Sequence, residues 1–232
     1  MTEKSSAPWD FGRFLKTVAY FGEVPLLSKL DWFQHLMGSR VEPRLDAAAL
    51  ASTEANLLVD FTQPIANLSD HWGALDDVVM GGASQSQLIQ QDGVALFTGI
   101  LSTANSGGFA SVRTRNIDPP LDLSAAMGIQ LQVKGDGKRY KFMVRSQTQW
   151  DGIAYCYSFD TIAEQWITVQ IPFAAMIPVF RARTLNSAEP LNTRQICSLQ
   201  LMLSKFEYDG ALNPHFAPGR FCLAVKTIAT YQ

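Results

Sequence analysis

From Asn56 onward the apolar residues of this chain recur at every second position, and a period of two dictates extended strands with one face turned inward. Ile129, Leu131 and Val133 alternate with Gln130, Gln132 and Lys134, and Tyr140, Phe142 and Val144 alternate with Arg139, Lys141, Met143 and Arg145. Gly135-Asp136-Gly137 stands between the two runs and predicts the turn of an antiparallel hairpin. The same rhythm marks Ile153/Tyr155/Tyr157/Phe159, Ile167/Val169/Ile171, Cys197/Leu199/Leu201/Leu203 and Phe221/Leu223/Val225, and further strands are expected at 57–61, 83–89, 94–101 and 109–114. Helical patterns between these segments are scarce, which argues against a parallel doubly wound sheet. Short strands at this spacing predict an all-β fold of two packed sheets.

The N-terminal region obeys another period. Between Trp9 and Met37 the apolar residues follow a helical repeat: Phe11, Phe14, Leu15, Val18 and Phe21 share a face, and Asp10 is placed to cap its start. Pro25 interrupts the pattern and predicts the start of a second helix, with Leu26, Leu30, Phe33 and Met37 on one stripe. The expected organisation is therefore an amphipathic helical segment over 1–40, a connector over 41–56 and a β-sandwich over 57–232.

The formal charge of −2 and the charged fraction of 17% give no field that would draw the chain to nucleic acid. The three cysteines, Cys156, Cys197 and Cys222, are far apart in apolar runs, which predicts reduced, buried thiols. No apolar run approaches the ~18 residues of a spanning helix, and the first residues lack the apolar core of a secretory signal. The expected location is cytoplasmic. His35, His71 and His215 lack zinc-ligand spacing, and nucleophile-elbow, dinucleotide and P-loop motifs are all missing. Gly135-Asp136-Gly137-Lys138 lies between strands and not ahead of a helix, so a hairpin accounts for it.

Two segments carry the functional signal. Residues 72–86 read WGALDDVVMGGASQS, and residues 101–115 read LSTANSGGFASVRTR. In order, spacing and residue type they resemble the signature of the complex I intermediate-associated protein 30 family, in which W-x-x-x-D-D-x-V-M-G-G-x-S is followed by G-x-L-S-T-x-N-x-G-G-F-A-S-x-R. The resemblance implies a galactose-binding-like jelly-roll sandwich, to which the helical pattern of the first 40 residues adds an N-terminal helical extension. It further implies no enzyme activity. The implied role is a chaperone-like assembly factor that binds protein subunits of a membrane-bound respiratory or photosynthetic complex, complex I or NDH-1-like or a photosystem. On this basis the partner-binding residues are Trp72, Asp76, Asp77, Met80, Gly81, Gly82 and Ser84 of the first segment and Asn105, Gly107, Gly108, Phe109, Arg113 and Arg115 of the second. Arg181 and Arg183 join them from IPVFRARTL, where the family has a glycine at the place of Ala182. A proline-containing insertion, EYDGALNPHFAPGR, predicts an irregular loop where the family has a shorter turn.

The residues themselves leave several uses open. Asp76 and Asp77 can cap a turn or accept backbone N–H groups at a strand entrance, with Gly81 and Gly82 supplying positive φ; this use is preferred over ligation of a structural calcium ion, and no other cofactor is expected. Ser111, Arg113 and Arg115 fall on one side of their strand, so the arginines either form an anion-recognising fork or pair with Asp76 and Asp77. The aromatic N-terminal helices either cover the sandwich, the preferred reading, or touch a partner or a bilayer surface peripherally. Adjacent strand carboxylates point to opposite faces, so Asp76 and Asp77 are badly placed to flank one scissile bond. The alternative function is a carbohydrate- or small-ligand-binding module, with Trp72, Trp150 and Tyr157 as stacking surfaces.

Overall fold

The computed structural model describes residues 9–21, 44–47 and 56–232. The second expected helix, over 25–37, lies outside the described residues. The helix α1 spans Phe11–Phe21, and a single turn, α2, spans Leu68–His71. The remainder is built from strands, most of them divided between two facing sheets.

The seven-stranded sheet contains β3 (Trp72–Ala74), β6 (Phe109–Thr114), β14 (Ser198–Ser204), β9 (Arg139–Arg145), β10 (Ala154–Asp160), β12 (Ile177–Phe180) and β13 (Arg183–Thr184), in that spatial order. The second sheet orders β4 (Gln85–Gln91), β5 (Val94–Leu101), β15 (Gly219–Tyr231), β8 (Gly128–Lys134) and β11 (Trp166–Pro172), with β2 (Leu57–Asp60) also paired to β15. A short parallel pair joins β1 (Leu45–Asp46) to β7 (Ile117–Asp118), so part of the expected connector runs beside the sandwich. Alternate residues of both sheets meet in one core. Phe97, Val112, Leu131, Val133, Tyr140, Phe142, Leu199, Leu201, Leu223 and Val225 are all fully buried there. Each such side chain stabilises the fold by about 1.5–3 kcal/mol relative to exposure, so the inward faces alone fix the two layers.

The expected β8–β9 hairpin is corrected. β8 pairs with β11 and β15, whereas β9 pairs with β10 and β14, so residues 135–138 carry the chain from one sheet to the other. Alternation tells which face a strand buries but not its neighbour, and a short turn serves a crossing as well as a hairpin. Asp136 secures this crossing by accepting from Lys138 Nζ (2.6 Å), Tyr140 Oη (2.9 Å) and the Cys222 backbone N–H (3.2 Å).

The outer face of the seven-stranded sheet is also covered. Met143, Ala154, Cys156 and Val179 form a second apolar cluster, against which Tyr208 packs from the 205–218 loop. Lys141 is buried beneath that loop and donates to the carbonyls of Phe206 (2.7 Å) and Glu207 (2.8 Å). The proline-containing insertion is thus pinned across a sheet face. At the far edge, Arg181 and Ala182 both have positive φ, 48° and 62°, in the two-residue turn joining β12 to β13. The primed hairpin geometry that glycine favours is kept here by alanine.

Candidate functional site

The first signature segment leaves β3, makes a 3₁₀ turn over Asp77–Met80 and enters β4; the second leaves β5 and enters β6. β3 and β6 are hydrogen-bonded neighbours, with Trp72 opposite Thr114 and Ala74 opposite Val112. The two segments therefore meet at one edge of the sandwich, and their carboxylates hold them together.

Asp77 is 1% exposed. Its Oδ1 accepts from the Ser84 backbone N–H (2.9 Å), and its Oδ2 accepts from Ser84 Oγ (2.7 Å) and from the backbone N–H groups of Gly108 (2.7 Å) and Phe109 (3.3 Å). Gly82 and Gly107 flank this carboxylate so closely that a Cβ on either would overlap it. Of the two glycines expected to supply positive φ, only Gly81 does so, at 87°; Gly82 is required for space. Asn105, itself at φ 55°, donates from Nδ2 to the Gly81 carbonyl at 3.0 Å and adds a further tie between the segments.

Asp76 is equally buried. Its Oδ2 accepts from the Ser86 backbone N–H and from Arg13 Nη2, each at 2.9 Å, while Oδ1 accepts from Ser86 Oγ and the Ser111 backbone N–H. Burial pushes its pKa up to about 6, against the opposing pull of the Ser86 and Ser111 donors and the Arg13 charge. Both carboxylates are thus encircled by N–H and O–H donors, joined at Asp76 by a guanidinium. A hard cation needs oxygen ligands in those directions, so the arrangement does not fit calcium. Among the described residues no group of three His, Cys, Asp or Glu side chains converges as a metal site.

Asp76 and Asp77 are both buried and accept backbone N–H groups, the preferred of their expected uses, and Asp76 forms its ion pair with Arg13 of α1, so of the two uses left open for Arg113 and Arg115 the pairing with Asp76 is not the one seen. Arg113 lies 4.5 Å from the ring centroids of both Phe21 and Trp150, which themselves touch at 4.8 Å, and donates to the Trp150 carbonyl at 3.3 Å. Arg115 lies over the Tyr20 ring at 3.8 Å, donates from Nε to the Asp70 carbonyl at 2.7 Å, and donates from Nη1 to the Tyr20 carbonyl. Strand β6 and the residue after it thus turn two guanidinium groups towards the end of α1.

The same surface receives the rest of that helix. Asp10 caps α1 by accepting from the Arg13 backbone N–H at 2.9 Å. Trp9 Nε1 donates to the Val78 carbonyl (3.0 Å), and Arg13 also reaches the Ser84 carbonyl (2.9 Å). Phe14 and Val18 pack on Val78, while the Tyr20 ring lies so close to Gly73 that a Cβ would not fit. The buried stripe is Phe14, Thr17, Val18 and Phe21. Phe11 and Leu15, expected on that stripe, are 54% and 41% exposed, because the Arg13 and Trp9 anchors rotate the helix and turn them outward.

Of the remaining sequence-chosen residues, Trp72 is core, packed on Phe61 at 6.4 Å, and Ser84 is buried beneath Asp77. Met80 stands out at 79% exposure. Arg181 and Arg183 are exposed on the opposite edge of the sheet, Arg181 paired with Asp151 through Nε at 3.0 Å. The β9–β10 loop links the two regions, since Trp150 stacks on Arg113 and the next residue is Asp151. Sequence reading missed Arg13, Tyr20, Phe21, Gly73, Ser86, Ser111 and Trp150 as members of the signature site. The glycine directly after Trp72 was the one local signal of a close approach.

The architecture is that of a galactose-binding-like jelly-roll sandwich. It is similar to the family 11 carbohydrate-binding module of cellulosomal cellulase Lic26A-Cel5E of Clostridium thermocellum, with a TM-score of 0.54 at 17% identity over 78% of this chain and 97% of that one. The same module in complex with a β-1,3-1,4-mixed-linked tetrasaccharide gives 0.53 at 18% identity, over 78% and 97% of the two chains. Identities this low carry the fold alone. Family membership comes from the sequence: the profile of Complex I intermediate-associated protein 30 matches residues 59–225. An uncharacterized protein of Schizosaccharomyces pombe is 32% identical over 166 residues, 65% of this chain and 76% of that protein. The chain belongs to the complex I intermediate-associated protein 30 family.

Proposed function

We infer that this protein is a non-enzymatic assembly factor that holds protein subunits of a membrane-bound respiratory or photosynthetic electron-transfer complex until they are incorporated. Family membership supports the complex-assembly role. The observation that carries protein binding is the signature edge: a densely hydrogen-bonded scaffold that carries α1 and gathers the exposed apolar side chains Trp9 (50%), Phe11, Leu15 and Met80. Apolar groups gathered at one edge mark a surface for another macromolecule. Both signature carboxylates are saturated with donors, which leaves neither placed as an acid–base catalyst. The protein works peripherally at the cytoplasmic side of an energy-transducing membrane because its clients are embedded there; none of the described helices is long and apolar enough to cross one.

A carbohydrate-binding role draws less from the site. Trp72 is inside the core, Tyr157 packs half-buried against it, and Trp150 packs on Phe21 and beside the Arg113 guanidinium, so none of the three offers a sugar a free flat face. Affinity isolation of a tagged copy from its native organism, followed by mass spectrometry, tests the assembly reading. Subunits of one membrane-bound redox complex should be enriched, and a Phe11→Glu/Leu15→Glu variant should recover at least about tenfold less of them. Recovery of no such subunit would overturn it.

A further inference from the structure

Several of the groups that grip α1 keep partners within the sandwich without it. Asp76 keeps three donors from the sandwich itself, the Ser86 N–H and Oγ and the Ser111 N–H, when Arg13 is left out. Arg115 keeps the Asp70 carbonyl, and Arg113 keeps the ring and carbonyl of Trp150. The apolar contact of Phe14 and Val18 with Val78 is a cluster separate from the main core. Emptying this groove would therefore remove the Arg13 counter-charge of Asp76 but leave that carboxylate three donors, and it would uncover Val78 without breaking into the main core. At 11 residues, α1 is also too short to persist as a helix in water without the groove.

We propose that this groove is a helix-exchange site: α1 is its resident occupant, and an amphipathic helix of a client protein displaces it. The receptor groups define the chemistry of that helix. The Asp76 carboxylate and Ser84 carbonyl converge on one guanidinium, the Val78 backbone offers an apolar step and a carbonyl for an indole, and Arg113 and Arg115 offer flat cationic faces to a pair of aromatic rings. The spacing read from Arg13 to Tyr20 and Phe21 places those rings two turns after the basic residue. The client helix therefore carries one arginine and, two turns on, adjacent aromatics. The exposed ring of Phe11 and the Met80 side chain lie beside the groove as a first point of contact. This inference rests on the protein-binding reading above and specifies how the client is held.

The test uses the full-length chain and a fluorescent synthetic peptide of residues 9–21 added in trans. An Arg13→Glu substitution places like charge against Asp76 and weakens the resident helix without altering the groove. The substituted chain should bind the peptide at least about tenfold more tightly than the wild type, because the resident no longer competes. A peptide carrying the same Arg13→Glu change should not bind, and the melting temperature of the sandwich should be unchanged. Three results would each overturn the proposal: no peptide binding to the substituted chain, a large fall in its melting temperature, or a dimer formed by exchange of α1 between two copies. Peptide failure alongside successful co-isolation of membrane subunits would remove this exchange site and leave the assembly role standing.

Discussion

Gly82 lies against the Asp77 carboxylate with no space for a Cβ between them, and Gly107 meets the same group from the other segment. The neighbouring Gly81 differs in kind: it adopts φ 87°, and a Cβ there would meet nothing within 4 Å. The three glycines therefore predict different costs. Gly82→Ala or Gly107→Ala must push Asp77 away from its donors, at about 3 kcal/mol, or a melting temperature lower by about 6–12 °C in a chain of this size. Gly81→Ala incurs only the left-handed backbone penalty of about 1 kcal/mol. Thermal melts of the three variants check the order, and equal losses would mean that the carboxylate is not the constraint.

Asp76 sets two opposite pH dependences. Burial raises its folded pKa to about 6, above the roughly 3.9 of an unfolded chain. Between those values the folded state holds the extra proton, so the contribution of this group to global stability falls as pH rises from about 4 to 6. Docking of α1 has the reverse sign. Arg13 favours the ionised carboxyl, so docking is strongest above pH 6 and weakens as pH falls through it. Trp9 and Trp150 both contact this helix region, so fluorescence should report the docking step with a midpoint near 6, while urea titration reports the other. Asp76→Asn should abolish both midpoints.

The strands over 94–101 and 109–114 were legible to the residue, because alternation in the sequence is the direct image of a half-buried sheet. Their partners were not legible. β8 and β9 alternate alike and lie close in sequence, yet they belong to opposite sheets, since pairing is decided by which layers close over the core. The site shows the same division. Asp76, Asp77, Gly81, Gly82 and Asn105 do converge, as one signature would require. The charge partner of Asp76 lies 63 residues away on a helix whose apolar pattern suggested a different buried face. A wheel drawn on hydrophobicity alone buries Phe11 and Leu15; the polar anchors Arg13 and Trp9 outweigh that tendency.

The thiols should react in an order set by their surroundings. Cys156 is sealed in the apolar cluster on the outer face of the seven-stranded sheet, where burial pushes its pKa up to about 12. Cys197 is also buried, and Cys222 is only half-buried, with burial and then the Asp136 charge raising its pKa. A disulfide reagent at pH 8 should therefore modify Cys222 slowly in the native protein, and Cys156 and Cys197 only on unfolding. Rapid labelling of Cys156, located by peptide mapping, would mean that the 205–218 loop opens and that the outer sheet face is accessible.

Arg145 is a buried cation whose hydrogen-bonded partner is a neutral amide. Its Nη1 donates to Gln200 Oε1 at 2.7 Å, its Nε has no partner, and Gln200 passes the network on to Ser111 Oγ at 2.9 Å. Burial holds its pKa below the ordinary arginine value, against the opposing pull of Cys156 and Asp151. Removing one member should be costly and removing both should not. Gln200→Leu leaves the guanidinium without its acceptor and should cost about 3 kcal/mol, since an uncompensated buried charge remains. Arg145→Met leaves only an amide oxygen unsatisfied and should cost about 1–2 kcal/mol. The double variant fills the same space with apolar groups and should lie within about 1 kcal/mol of the wild type, a coupling of several kcal/mol in a double-mutant cycle by urea denaturation. Strict additivity would show that the two side chains do not act as a unit and that Arg145 is stabilised by something other than Gln200.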